Sequence, residues 1–397
     1  MKTTNRSLLI GVILIGCFYL CGCGATTVKE CDNTGQGQIN EEISDINEPK
    51  QEYQEVVTES GDTTLSESMA VSESTGAYDF TLCFAGDINL DDKWSTMLHL
   101  DQQEKGILDC ISPELVSVMQ ESDIMCLNNE FTFSTEGEPL PGKRYIFRAH
   151  PDRVEILNTL GVDVVSLANN HAFDFGSISL LQTMDTLKKA NISYVGAGAD
   201  LEEAMEPFYY ELDGKTIAIV AGSRAEKNKM TPQATDTQPG ILRCYEPELL
   251  KQTIKKAKEH ADYCILFIHW GTEYSTKLED VQVNTGKEYM DAGADVIIGA
   301  HPHCLQGIEF YEGKPIIYSL GNYWFNEKIL DTMLLQLRFY GNKTEEHLEV
   351  KVIPGLQKDC ETTYVSDKVE QRAFFDRLEE LSIEVEISDE GVVTETK

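Results

Sequence analysis

The sequence predicts a layered α/β protein with mixed sheets, and three observations carry that prediction. Near-continuous apolar runs at residues 80–86, 124–127, 162–168, 192–195, 263–268 and 294–300 read as buried strands, of the kind found in sheets covered on both faces. Stretches of helical spacing lie between them, as a layered α/β architecture requires. Two turn signals, Asp213-Gly214 and Glu312-Gly313, mark hairpins and so demand some antiparallel pairing.

Taken in order, the chain begins with Lys2 and Arg6 ahead of an apolar core at residues 8–19, followed by Leu20-Cys21-Gly22-Cys23. The apolar run is short for a membrane-spanning helix, so residues 1–22 read as a signal peptide. Leu-x-Gly-Cys resembles the bacterial lipobox, which implies lipidation at Cys23 and attachment to the outer face of the cytoplasmic membrane, at the cell surface. Residues 23–77 are rich in Glu, Ser, Thr and Gln, with twelve acidic residues against Lys29 and Lys50. Such a segment cannot bury enough apolar surface to offset ordering entropy, and a disordered acidic tether is expected.

The expected main domain covers residues 78–330. Its first strand, 80–86, ends at Asp87. A helix at 107–119 precedes strand 124–127, which ends at Asn128-Asn129-Glu130. Residues 151–160 are helical with Pro151 in the first turn, and strand 162–168 ends at Asn169-Asn170-His171. An amphipathic helix at 176–190 and a strand at 192–195 follow. Residues 208–212 and 216–221 flank the first hairpin turn, and 247–260 is a helix. Strand 263–268 ends at His269-Trp270-Gly271. A helix at 278–292 leads into strand 294–300, which ends at His301-Pro302-His303; Pro302 restricts φ between the two imidazoles. Residues 308–311 and 315–320 form the second hairpin. Residues 331–397 complete the domain with two strands between 333 and 354 and a helix at 367–381.

The formal net charge of −34 argues against a nucleic-acid partner, which a protein engages by neutralising phosphates with Lys and Arg. It argues equally against electrostatic attraction to an anionic membrane surface. The eleven cysteines show no spacing that suggests a disulfide framework or a zinc ribbon. Cys83, Cys126 and Cys264 lie in apolar runs, where a free thiol packs as a small hydrophobe.

The polar residues collect where strands end. Asp87, Glu130, Asn170 with His171, His269, and His301 with His303 each follow a separate apolar run. If those strands share a direction, their side chains meet in the crevice outside the strand carboxyl ends, where open α/β sheets bind ligands. Carboxylates and amides are hard oxygen donors, and imidazole suits Mn, Fe and Zn. Three histidines, two carboxylates and an asparagine exceed one tetrahedral zinc. They suit two divalent cations ~3.5–4 Å apart that share a carboxylate and lower the pKa of bound water. Asp174 reads either as a site residue or as a cap for the helix near Gly176. Asn89 and Arg148 are weaker candidates.

Several motifs together resemble one family: Gly86-Asp87-Ile88-Asn89, Asn128-Asn129-Glu130, Phe147-Arg148-Ala149-His150-Pro151, residues 166–176 around Asn169-Asn170-His171, His269-Trp270-Gly271-Thr272-Glu273-Tyr274, Gly299-Ala300-His301-Pro302-His303, and Tyr318-Ser319-Leu320-Gly321-Asn322-Tyr323. The chain resembles the CapA family, associated with poly-γ-glutamate capsule synthesis and similar to the calcineurin-like metallophosphoesterases. The resemblance implies a four-layer α/β/β/α metallophosphatase-like sandwich with mixed sheets and a two-metal site. It implies Asp87 and His303 on a first metal, Glu130 bridging, and Asn170, His269 and His301 on a second. His171 would act as general acid or transition-state stabiliser, with Asp174 in the same catalytic set and Arg148 holding a substrate anion by its fork of donors. Asn89 stands where the phosphoesterases carry a metal-binding histidine, and Glu130 where they carry a shorter aspartate.

The function expected is therefore a surface-anchored, metal-dependent hydrolase in polyglutamate or other envelope-polymer production. It would use two divalent ions (Mn, Fe or Zn), act on an anionic polymer or phosphoester, and work beside a membrane polyglutamate synthase or export complex. The alternative is a non-catalytic metal-binding accessory for polymer export or anchoring. A polysaccharide deacetylase is disfavoured, because no His-x-x-x-His helical pair is present.

Overall fold

The computed structural model describes residues 76–225 and 230–397. The expected signal peptide, the lipidation site Cys23 and nearly all of the tether lie outside the described residues.

Side chains alternate across a strand, and that period of two sets the layering here. In the first strand, Tyr78–Ile88, Phe80, Leu82 and Phe84 enter a core shared with Ile217, Ile219, Ile265, Phe267, Val296 and Ile298 of a second sheet. Cys83 and Ala85 face the other way, onto Leu115, Met119, Leu180 and Leu187 of two helices. The strand Lys215–Ser223 divides in the same manner. Its Ile217 and Ile219 point inward, while Ala218 and Val220 pack outward on Leu250, Ile254 and Ala257 of the helix Glu248–His260. Each sheet thus has one face on the other sheet and one face under helices. The expected four-layer α/β/β/α sandwich is formed.

The larger sheet runs in the order Val385–Ile387, Val392–Glu395, Glu346–Lys358, Leu330–Gly341, Tyr78–Ile88, Ile124–Asn129, Val164–Ser166, Ser193–Val195. Its last four strands are parallel, and Leu330–Gly341 pairs antiparallel to the first strand. The smaller sheet runs Leu305–Tyr311, Lys314–Leu320, Val296–Ala300, Tyr263–His269, Lys215–Ser223, Phe208–Leu212. Its four central strands are parallel, and the two hairpins supply its antiparallel edges. The helix Lys368–Leu381, capped by the Asp367 carboxylate, buries Phe374, Phe375 and Leu378 in the inter-sheet core. Among the described residues, no helix is long and apolar enough to cross a membrane.

Beside the strand ends, the backbone itself passes from one sheet to the other. After Leu320 the chain leaves the smaller sheet, turns at Gly321 with φ 68, and as Asn322–Trp324 pairs parallel to the first strand, with Asn322 opposite Asp87. The Asp87 N–H donates to the Gly321 carbonyl at 3.0 Å. Gly86 permits this approach, since a Cβ there would lie 1.9 Å from the Gly321 oxygen.

Three local readings change. The helix expected at 107–119 is a 3-10 turn, Gly106–Asp109, followed by a separate helix, Pro113–Glu121. Pro113 has no N–H to donate and holds Ser112 extended, at φ −60 and ψ 144, which breaks the periodic stretch. Residues 151–160 divide likewise into the 3-10 turn Pro151–Val154 and the helix Glu155–Thr159. The terminal hairpin of Val385–Ile387 and Val392–Glu395 was not expected, because its strands are short and half polar.

Packing is tight in the strand Val296–Ala300, where a Cβ on Gly299 would meet the Tyr318 oxygen at 1.9 Å and Trp270 Nε1 at 2.6 Å. Gly299→Ala therefore overpacks this layer and should cost about 1–3 kcal/mol. Urea unfolding should show a lowered midpoint with an unchanged slope; a wild-type midpoint would contradict the contact.

Candidate metal centre

The parallel strands of both sheets deliver their terminal residues to one buried space. Asp87 closes the first strand, and Glu130 follows Ile124–Asn129. Asn170 and His171 lie just beyond Val164–Ser166, His269 ends Tyr263–His269, and His301 and His303 follow Val296–Ala300. Two groups of potential ligands result, Asp87 with Glu130 and His303, and Glu130 with His269 and His301. Within each group the ligand atoms lie within 4.8 Å of one another, and every member is buried. Glu130 is common to both. Its Oε1 stands 3.6 Å from His269 Nε2, 3.8 Å from His303 Nε2 and 3.9 Å from His171 Nε2. Asn170 Oδ1 joins the second group, 2.7 Å from His269 Nε2.

Neighbouring amides hold these groups. Asn128 Nδ2 donates to Asp87 Oδ1 at 2.8 Å and Glu130 Oε2 at 3.3 Å, and lies 3.3 Å from His269 Nδ1. Asn128 Oδ1 in turn accepts from Asn169 Nδ2 at 3.0 Å. His303 Nδ1 sits between Asp87 Oδ2 at 3.0 Å and Asn322 Oδ1 at 2.8 Å. The two histidines that flank Pro302 have left-handed backbones, φ 98 at His301 and φ 56 at His303. Such conformations are disfavoured for residues with a Cβ and persist where the surroundings enforce them. Here the Trp270 N–H donates to the Ala300 carbonyl and the Tyr274 N–H to the Pro302 carbonyl.

Beside the ligands, His171 Nδ1 pairs with Asp174 Oδ2 at 2.7 Å. Asp174 is fully buried, accepts the Phe147 N–H at 2.7 Å, and forms an ion pair with Lys143 at 2.7 Å. It does not cap the following helix, Ser177–Lys189, whose N-cap is Gly176.

Burial dominates the electrostatics. It pushes the Glu130 carboxyl well above its ordinary range, and the negative charge of Asp87 adds to that. It holds His269 well below the usual imidazole range, brings His301 down to about 3, and lowers His171. The imidazoles are therefore neutral, the form that binds metal. Asp87 Oδ2, Glu130 Oε1 and His301 Nδ1 are buried without a hydrogen-bond partner. Polar atoms left unpaired in such surroundings are costly, and cations held by the two overlapping groups would satisfy them. The donor set fits such an ion.

Of the residues singled out from sequence, Asp87, Glu130, Asn170, His171, Asp174, His269, His301 and His303 come together. Arg148 does not join them, and Asn89 is engaged in a local turn, where its oxygen accepts the Asp91 N–H at 2.8 Å. The Arg148 guanidinium lies over the Phe175 ring at 4.0 Å, lining a separate cavity of about 400 Å³ with Trp94 and Pro139. Sequence reasoning missed Asn128, Asn322 and Lys143. An amide at the end of a run as apolar as Ile124–Leu127 was the available signal for Asn128; Lys143, in a polar loop, offered none.

A four-layer sandwich whose strand ends gather carboxylate, amide and imidazole donors defines a metallophosphoesterase-like protein. The chain belongs to the bacterial capsule synthesis protein family PGA_cap, whose pattern matches residues 81–327. It is 35% identical to the PGA biosynthesis protein CapA of Bacillus subtilis over 213 residues, which cover 51% of this chain and 53% of that protein. It is 36% identical to the capsule biosynthesis protein CapA of Bacillus anthracis over 203 residues, 49% of each. The chain thus spans about half the length of these curated relatives. Among solved structures it is similar to a putative 5'-nucleotidase from Staphylococcus aureus, at 15% identity and a TM-score of 0.40, covering 76% of this chain and 58% of that one.

The lowered histidines give the metal-free protein a defined pH response. Below their ordinary value of about 6.5, the unfolded chain takes up protons that folded His171, His269 and His301 refuse, so stability falls as pH falls. Glu130 acts oppositely: its raised carboxyl favours the folded state more as pH drops toward its ordinary value. Between pH ~6.5 and ~4.5, chelator-treated wild type should lose more stability in urea than His301→Gln, which lacks one such group; equal losses would contradict the assignment.

Proposed function

We propose that the protein is a surface-anchored, metal-dependent hydrolase of capsule or envelope-polymer biosynthesis, holding two divalent cations around Glu130. The observation that supports this is the pair of overlapping buried donor groups, with Asp87 Oδ2, Glu130 Oε1 and His301 Nδ1 left without hydrogen-bond partners. Asp87 and His303 would hold one cation, Asn170, His269 and His301 the other, and Glu130 both; Mn, Fe and Zn suit these donors. When bound, such ions supply Lewis-acid stabilisation and a water of lowered pKa.

The chain's own residues do the rest. Asp174 accepts from His171 Nδ1, which leaves the Nε2 lone pair turned toward Glu130, 3.9 Å away, able to accept the proton of an attacking water. Phe147 stacks on His171 at 4.4 Å and Phe325 on His303 at 4.6 Å, keeping that side of the site dry. The substrate would be a phosphoester or amide-type bond in an anionic polymer. A protein of net charge −34 repels such a chain, so the cations and Lys143 must reverse the field locally. A lipid on Cys23 and the acidic tether would hold the domain at the outer face of the cytoplasmic membrane, beside a polymer synthase or export complex.

One observation favours the second reading, a non-catalytic metal-binding accessory for polymer export or anchoring. Asn89 replaces a histidine and spends its oxygen on Asp91, which leaves the Asp87 group with fewer donors.

Full-length protein loaded with manganese or zinc should hydrolyse phosphoesters or polyglutamate. His171→Ala should lower kcat about 100- to 10,000-fold with metal content unchanged. A metal-free wild type would overturn the hydrolase; metal without turnover on either substrate class would favour the accessory. In cells, Cys23→Ser should move the protein from the membrane to the soluble fraction, and an unmoved variant would refute the anchor.

A further inference from the structure

We propose that Lys143 is a positioning residue for this reaction, an inference that rests on the hydrolase reading. Its ammonium fixes the His171–Asp174 pair against the backbone of the ligand Asn170.

A lysine is almost never fully buried unless paired. The Lys143 side chain retains 7% exposure and lies 2.7 Å from Asp174 Oδ1, on a carboxylate with no exposure at all. The same ammonium donates to the Asn170 carbonyl, which also accepts Thr231 Oγ1 at 2.7 Å. Both oxygens of Asp174 are thereby engaged. Oδ2 takes His171 Nδ1 and the Phe147 N–H, and Oδ1 takes Lys143. The loop that carries the lysine is itself tied to this aspartate, since the Leu140 N–H donates to the Asp174 carbonyl at 2.9 Å. One cation thus spans two parts of the site, the backbone behind Asn170 and the acceptor that sets His171.

The consequence concerns the imidazole. With Asp174 held as an acceptor, His171 keeps its proton on Nδ1 and presents Nε2 toward Glu130. Removing the ammonium while keeping the side chain's bulk leaves a buried carboxylate without its countercharge. The aspartate can then turn, and His171 loses the partner that selects its tautomer. A lysine that only pinned the loop would change stability and leave the imidazole as it was.

The test uses full-length, zinc-loaded protein labelled with 15N-histidine. The His171 resonances are identified by their disappearance in His171→Gln. Wild type and Lys143→Arg should show a single neutral tautomer protonated at Nδ1. Lys143→Gln and Lys143→Met should shift toward an average of both tautomers, with zinc content unchanged. With p-nitrophenyl phosphate as the probe, kcat should fall about 10- to 100-fold in the Gln and Met variants with KM within twofold, and Arg should restore most of it. Either neutral variant suffices should the other not fold. A wild-type His171 signature in a folded neutral variant would overturn the proposal, whatever its stability. Absence of turnover in wild type would count against the hydrolase reading, and the tautomer measurement would still decide the role of Lys143.

Discussion

Two carboxylates, Asp87 and Glu130, are buried side by side and bridged by a single amide, Asn128. Taking even one charge out of water is expensive, and two of like sign in one space repel as well. The displacement of Glu130 above its ordinary range expresses that cost. A divalent cation turns the same arrangement from a liability into a binding site, because its charge balances both carboxylates and it accepts the lone pairs of neutral imidazoles. Most other features of the fold follow from bringing those groups together.

The parallel strands of each sheet must end on the same side, and the sheets must touch where they end. Gly321 makes that contact possible by turning the chain out of the smaller sheet and along the first strand, and Gly86 leaves room for its carbonyl. His301 and His303 accept left-handed backbones at a cost of order 1–3 kcal/mol each. Strain at two adjacent ligand positions is the kind retained where a site must be preorganised. Packing around them is correspondingly tight, with Gly299 pressed against Tyr318 and Trp270.

Much of this was legible in the sequence, for physical reasons that can be named. Strands such as Tyr263–His269 are buried on both faces, so their sequence is nearly continuous apolar and the first polar residue marks the carboxyl end. His269, His301 and Asp87 were visible in this way, and Glu130 two residues beyond the first such polar position. Asn89 also follows a strand, but its side chain closes a local turn, which spacing alone does not reveal. Arg148 has the right chemistry and the wrong neighbour, Phe175. Asn322 lies in a motif that carries the family resemblance, but its partner His303 is remote in sequence, and nothing local betrayed Lys143. Pro113 is a break that the helical periodicity around it masks.

In this reading Glu130 would be shared between two cation sites. Crystals of the full-length protein grown with manganese, with diffraction measured at the manganese absorption edge, test it most directly. The account predicts two anomalous peaks, one among Asp87, Glu130 and His303 and one among Glu130, Asn170, His269 and His301. No peak at Glu130, or two peaks of which only one touches it, would contradict the claim.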